Sequence, residues 1–386
     1  MKHSKQEYYL NHEQWKYTKI SYFKNYNSNY AIKNDPINNR CESNEILLHN
    51  GEFINAGSEI LKNKIVVCGI NDALKNDSPN LNKNFNAVIP SIKDSFLNDN
   101  KKYFSKGYYL YIPNDLEIIE PIIINNISDK GDKKSFTNFR NFIFCDKNSK
   151  VKIINYDSSN ISQCANIVNE TFINDNSELE IINESHKPMT QQISNFSAKL
   201  NKNSRLILHA LDFGGRLLKN NYYINLNEPG SECLFNGFNI ATSNHYIDNY
   251  IEILHNNKNT KSDLNYKIIS TEKSKSILFA KAIIKKYSSN SEAYQNNHNL
   301  ILSEQSTIHS NPQLEIYNDD VKCSHGSTTG QMDDDVIHYM RTRGININDA
   351  KKLILEGFLD DVIKNISKSV FTAKLIDNIK QCLKDI

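Results

Sequence analysis

The feature that most constrains this chain is a turn-plus-strand unit that returns at a nearly fixed interval. Asn148-Ser149-Lys150-Val151-Lys152-Ile153 recurs as Asn176-Ser177-Glu178-Leu179-Glu180-Ile181 and as Asn203-Ser204-Arg205-Leu206-Ile207-Leu208. A looser copy is Gly230-Ser231-Glu232-Cys233-Leu234-Phe235, and the four serines stand 28, 27 and 27 residues apart. Another apolar run precedes each copy, at 142–144, 167–173, 196–200 and 222–226. One such unit cannot bury its inward side chains, whereas stacked units share a continuous core. A β-sandwich with coincidental spacing would also supply short alternating strands. Three near-equal intervals favour the β-solenoid.

Strand-like runs continue at 246–254, 263–269, 276–284 and 299–303. Earlier ones lie at 46–48, 64–67 and across 107–126, where Pro113 and Pro121 interrupt them. The 34 residues from Asn311 to Gly344 form the joint of the molecule. An alternating strand there (Leu314, Ile316) gives way to a small-residue loop holding Cys323 and His325, and then to a helix. Asp333 can cap that helix, which carries Val336, Ile337, Tyr339 and Met340 and stops at Gly344. Asn348 can cap a second, with Ala350, Leu353, Ile354, Phe358, Val362 and Ile366 on one stripe, and a last helix runs from about 368 to 383. At the other end, residues 1–25 suit a short amphipathic helical lead-in with Tyr9, Trp15, Tyr17 and Ile20 buried. Residues 25–45 suit a loop, and 71–100 turn polar. The divisions expected are an N-terminal helical and loop segment (1–45), a β-helix core (46–332) and a C-terminal helical domain (333–386).

Asparagine fills about one position in seven, and only six of the 46 basic residues are Arg. AT-rich coding is the plainer reading of that bias, with an Asn-driven prion-like role as the alternative. With a net charge of +2 and basic residues spread evenly, no electrostatic stripe points to nucleic acid. The first residues lack the apolar segment of a signal peptide, and no run is long and apolar enough to span a bilayer. Seven scattered cysteines with no C-x-x-C pair suit neither a disulfide framework nor a zinc site. A reducing cytoplasm is the expected compartment.

Enzyme signatures are missing: no G-x-G-x-x-G or phosphate loop, no G-x-S-x-G elbow, no H-E-x-x-H. The triplet Asp333–Asp335 reads as a helix start favoured by the dipole. Cys323 and His325 remain. Thiolate and imidazole suit iron, zinc or a cluster, yet two residues separated by one Ser supply at most half a site. A buried structural Cys and a hydrogen-bonded loop His are the plainer alternative. The other histidines (His186, His209, His255, His298, His309) suit core or surface positions on the rungs. The stripe at 350–366 suits core packing or a partner's groove. Arg341 and Arg343 could complement the helix dipole or clamp a partner.

The block at 312–344, followed by an Ala-x-x-Leu-Ile helix and Gly357-Phe358, resembles the C-terminal signature of the SufB/SufD family, scaffold subunits of the SUF iron–sulfur cluster assembly system. Residues 13–18 look like that family's E-x-W-K-Y-T segment, and 107–124 and 294–303 are similar to further family regions. The likeness is to the SufD branch, because Gly326 follows His325 where SufB carries Glu. The resemblance implies a right-handed parallel β-helix with helical termini and no enzymatic activity of its own. It implies pairing with SufB through the β-helix, and a copy of the SufC ATPase received by the C-terminal helices. Tyr339, Arg341, Arg343, Leu353, Ile354 and Phe358 are the candidates for that docking. His325 would contact iron or a transient iron–sulfur cluster shared with SufB, with Cys323 the neighbouring thiol. No cofactor is expected to be tightly held by this chain alone. A reduced flavin in the complex, and a homodimer without SufB, stay open. The family's longer helical N-terminus and its Gly-Leu-Pro are missing, and 25–45 and 71–100 match poorly. A β-helix carbohydrate lyase or hydrolase and a purely structural solenoid are the alternative readings.

Overall fold

The computed structural model describes residues 13–18, 40–78, 80–92, 94–128, 137–157, 164–186, 190–384 and 386. Strands β1 (Glu45–His49) and β2 (Glu52–Ala56) form a hairpin, and α1 (Ser58–Lys62) leads to β3 (Val66–Gly69). Helices α2 (Ile70–Lys75), α3 (Leu81–Asn84) and α4 (Ser95–Tyr103) follow. Strand pairs then repeat. They are β4 (Tyr108–Ile112) and β5 (Ile122–Ile127), β6 (Thr137–Cys145) and β7 (Lys150–Asp157), β8 (Cys164–Ile173) and β9 (Glu178–Ser185). Next come β10 (Gln191–Leu200) and β11 (Arg205–Asp212), β12 (Leu217–Leu226) and β13 (Glu232–Ala241), β14 (Tyr246–His255) and β15 (Lys261–Ser270). The series closes with β16 (Lys275–Ile284) and β17 (Ser291–Ile301), then β18 (Thr307–Ile316) and β19 (Val321–Gly330). Helices α5 (Asp334–Thr342), α6 (Ile347–Lys364) and α7 (Val370–Lys384) end the chain.

Alternate strands build two sheets. One runs β19-β17-β15-β13-β11-β9-β7-β5-β1-β2 and the other β18-β16-β14-β12-β10-β8-β6-β4-β3. Pairing is parallel except at the first end, where β1 pairs β2 and β3 pairs β4 antiparallel. This is a parallel β-solenoid, as the repeat predicts. The apolar positions of the repeat (Val151, Ile153, Leu179, Ile181, Leu206, Leu208) line its interior. They meet Phe196, Ala198, Leu200, Tyr222, Ile224 and Leu226 of the facing sheet. Each fully buried side chain of this size contributes about 1.5–3 kcal/mol relative to exposure.

The repeated Asn has a backbone reason. Asn148, Asn176 and Asn203 have φ of 55, 58 and 52°, and Gly230, Asn259 and Asn290 take the left-handed conformation at the same corner. Asn and Gly tolerate that region best. The side chains also stack: Asn176 Nδ2 donates to Asn148 Oδ1 at 3.1 Å and Asn203 Nδ2 to Asn176 Oδ1 at 3.3 Å. Beyond Ser231 the corner continues through Thr260 and Ser291, at intervals of 29 and 31 residues. Those longer intervals hide the later rungs from a fixed-period search.

Both outer sheet faces are covered in part. Helices α6 and α7 lay Leu355, Leu359, Val362, Leu375, Ile379 and Leu383 on Ile154, Ile182, Leu211, Phe238 and Ile269. Helices α2 and α3 put Ile70, Ala73 and Leu81 over Tyr109, Phe142, Phe144 and Phe172 of the other sheet. The tract 71–100, polar in composition, therefore carries short helices, of which α2 and α3 pack onto the solenoid. Asp94 caps α4 by accepting from Phe96 N and Leu97 N, and also receives Trp15 Nε1 at 2.8 Å.

Four other expectations change. Residues 13–18 form turns and bends rather than a helix, while Tyr9, Ile20 and most of 1–45 lie outside the described residues. Trp15 is a buried anchor, as expected. The Cys/His segment is strand β19, not a loop, because its backbone continues the ladder of β17. Helix α6 is capped by Asn346, whose side chain accepts from Asp349 N, not by Asn348. Its buried face is Ala350, Leu355, Leu359 and Val362, so Leu353 faces solvent while Ile354 and Phe358 flank the contact. Asp333 does cap α5, accepting from Asp335 N and Val336 N.

Candidate functional site: the open last rung

Strands β18 and β19 end their sheets, and no described element pairs with their outer edges. An unpaired edge of this length is a template for another strand. From Ser324 to Gly330, β19 is exposed.

Side chains alternate along a strand, so Cys323, His325, Ser327 and Thr329 share the side that faces the solenoid interior. Cys323 packs beside Ala282, Ile284 and Ala293, which fixes that assignment. In register beneath the four lie Ala293, Gln295, Asn297 and Asn299 of β17. One rung lower, Leu264, Tyr266 and Ile268 pair with Gln295, Asn297 and Asn299, so the interior turns from apolar to polar just below the open end. Ser310 Oγ donates to Asn297 Oδ1 at 2.6 Å and Ser327 Oγ to the same atom at 3.1 Å. Asn299 Nδ2 donates to Thr328 O at 2.9 Å, and Asn297 Nδ2 to Tyr266 O at 3.0 Å. This network braces β19 on both sides of the opening while, among the described residues, no hydrogen bond or ion pair engages the His325 ring. The i, i+2 spacing that looked like half a loop site places thiol and imidazole in one column. Burial pushes the Cys323 thiol up, so the chain by itself does not activate it as a thiolate. Among the described residues no three His, Cys, Asp or Glu side chains converge as a metal set.

Residues 13–18 reach the same end from the outside. Gln14 donates to Tyr223 OH, Thr18 to Asp248, and Tyr246 OH to Tyr17 O. Tyr17 stacks on His309 of β18 at 4.5 Å, and Asn311 Nδ2 donates to its hydroxyl at 3.2 Å. Gln295, Asn297, Asn299 and this strap escape a reading from sequence. The legible signal is the period-2 row of amides in β17, which looks like a polar strand until its register puts the row inside.

The remaining candidates sit elsewhere. Tyr339, 58 % exposed, carries Arg343 over its ring at 5.2 Å, and Arg341 is exposed beside them. With Val336, Ile347 and Leu353 they form an exposed, partly apolar corner of α5 and α6. Ile354 is half-buried. Phe358 packs toward the solenoid, with Lys267 Nζ 4.8 Å from its ring centre and 2.6 Å from its carbonyl.

A separate interior cavity of about 180 Å³ lies among the earlier rungs, lined by Tyr108, Asn183, Glu184, Asp212, Asn220 and Tyr222. Burial pushes the Asp212 carboxyl up to about 7, against hydrogen bonds from Asn249 and Asn220 that favour its ionised form. Between about pH 4 and 7 the folded chain keeps a proton that the unfolded chain has released. This group's contribution to stability therefore falls as pH rises through that window and is level above it. Asp212→Asn is expected to raise the unfolding free energy at pH 8 and to leave it unchanged near pH 4. Parallel pH profiles for the two proteins in urea titrations would contradict the assignment.

Fold and site together define a parallel solenoid with an uncapped terminal rung that presents a thiol and an imidazole. Residues 126–358 match the family model described as SUF system FeS cluster assembly, SufBD core domain, and the chain belongs to that family. It is similar to the iron–sulfur cluster assembly protein SufD of Escherichia coli, with 28 % identity over 196 residues, 51 % of this chain and 46 % of that one. A SufBD family protein of Synechocystis is 24 % identical over 299 residues, 75 % of this chain and 65 % of the relative. One from Porphyra purpurea is 26 % identical over 332 residues, 80 % of this chain and 65 % of the relative. The chain thus spans between about half and two thirds of the length of these relatives.

Proposed function

We propose that this chain is a non-catalytic, SufD-type scaffold of a cytoplasmic iron–sulfur assembly complex. A SufB-type solenoid pairs with the open edges of β18 and β19. Iron or a nascent cluster, as cargo, is held between His325, Cys323 and donors supplied by that partner. A SufC-type ATPase docks on the exposed corner of α5 and α6 around Tyr339, Arg341, Arg343 and Leu353. The observation that carries this reading is the open rung itself: a thiol and an imidazole in one row, at a sheet edge, with no third donor among the described residues.

Half a ligand set at an unpaired edge has chemical sense only when another chain completes it. A transferred cluster also needs a site that can open, which an interface between two chains supplies and a closed four-ligand pocket does not. Co-expression with the SufB-type and SufC-type proteins of the same source, followed by affinity capture on this chain, tests the assembly. A stable complex containing both is expected. Recovery of the chain alone, or as a homodimer that excludes the SufB-type protein, would overturn the reading.

A further inference from the structure

A column of charges runs up the outer face of the ten-stranded sheet, just past the Asn corner, and alternates in sign at every rung. At the first end Glu117 pairs in backbone register with Lys150, whose Nζ sits 3.0 Å from Glu178. Arg205 lies between two acids, 3.3 Å from Glu178 and 2.7 Å from Glu232. Next in register after Glu232 is Lys261. Glu292 lies between two cations, 3.6 Å from Lys261 and 3.2 Å from Lys322. Cross-strand neighbours of opposite sign stabilise a sheet and like signs oppose it, so the alternation is the arrangement stacked rungs require.

The column starts with an acid and stops with a lysine. Lys322 belongs to the edge strand β19, is 73 % exposed, and among the described residues pairs with a carboxylate on its β17 side alone. We infer that the strand which adds to β19 presents a carboxylate opposite Lys322, continuing the alternation into the partner chain. This rests on the pairing proposed above and specifies the partner's chemistry. Among the described residues, the strand positions at this edge of a second copy offer no free outward acid. The outward positions of β19 beyond Lys322 are Ser324, Gly326, Thr328 and Gly330. On β18 the outward acid is Glu315, which Lys281 already binds at 2.6 Å. The column therefore favours a different chain over a homodimer, by one attractive pair and by the lack of a free outward acid on the described edge strands.

Binding of the purified SufB-type protein to the full chain, measured by titration calorimetry at low and moderate salt, tests this. Lys322→Glu is expected to weaken binding roughly tenfold or more, because two carboxylates then face each other across the edge. Lys322→Gln, which adds no repulsion against Glu292, is expected to lose a few-fold and to flatten the salt dependence. A lysine placed at the facing acidic position of the partner's edge strand should restore binding to the Lys322→Glu chain. Lys150→Glu, at the far end of the column, controls for overall charge and should bind as wild type. Wild-type affinity for both Lys322 variants, or no rescue from any acid-to-lysine change in that strand, would overturn the inference while leaving the pairing intact. No binding by the wild-type chain would overturn the pairing itself.

Discussion

His325→Ala is expected to leave the solenoid folded and to cut cluster accumulation on the assembled complex by roughly tenfold or more. The two halves of that expectation have separate causes. The ring lies on the last rung, is exposed, and gives up no hydrogen bond or ion pair to any described residue on removal. Surface substitutions of that kind change stability by about 0.5 kcal/mol or less. Losing a metal ligand is a larger matter, since even the groups that merely orient ligands are worth about 10–100-fold in metal affinity. Cys323→Ser makes a useful companion. It keeps the volume beside Ala282, Ile284 and Ala293 nearly constant while removing the soft donor. Anaerobic reconstitution, followed by visible absorbance and iron content, reads both variants. Wild-type cluster yield from His325→Ala would remove His325 from the cargo site.

Glu170→Ala is expected to lower the unfolding free energy by about 3–5 kcal/mol, the usual cost of leaving one member of a buried ion pair alone. Glu170 and Arg140 are both fully buried beneath the N-terminal helices and lie 2.7 Å apart. Arg140 Nη2 also donates to Asn86 Oδ1 at 2.5 Å, its Nη1 to Asn100 Oδ1 at 3.4 Å, and Phe85 lies 5.0 Å from the guanidinium. Burial lifts the Glu170 carboxyl and lowers the Arg140 guanidinium, and each partner offsets part of that on the other. Glu170 also accepts from the Asn86 backbone N–H at 3.2 Å, but among the described residues Arg140 Nε finds no partner, so the desolvation of the pair is incompletely repaid by hydrogen bonds. The double replacement Arg140→Met with Glu170→Leu should therefore sit close to wild type, far above either single change. Urea titration of the wild type, Arg140→Met, Glu170→Leu and the double variant closes the cycle; additive losses would show that the two side chains act independently.

What the sequence discloses here depends on how local the cause is. The Asn corner is local, because the left-handed backbone and the side-chain ladder both fall on one residue per rung, and the repeat was visible for that reason. The Asp333 cap is local in the same way. Strand β19 is not. Ser, Gly and Thr in Ser324-His325-Gly326-Ser327-Thr328 favour a loop, and only pairing with β17 makes them a strand. The segment 13–18 reads as a helix by its apolar spacing, but its partners Tyr223 and Asp248 lie more than two hundred residues away. Helix α6 carries Leu353, Ile354, Leu355, Phe358 and Leu359, enough apolar residues for more than one stripe. The outward Ile and Phe residues of the solenoid select Leu355 and Leu359. The candidate pair Cys323 and His325 was legible as a motif, while the polar interior beneath it required the register of Gln295, Asn297 and Asn299.

In the proposed assembly, β18 and β19 form the edge on which the SufB-type partner adds. Amide hydrogen exchange of this chain, free and in the captured complex, addresses that edge directly. Backbone amides of β18 and β19 that face the open edge should exchange freely in the isolated chain and become strongly protected in the complex, with the rungs of β6 to β13 unchanged. Protection confined to other strands, with residues 307–330 exchanging as in the free chain, would contradict the account.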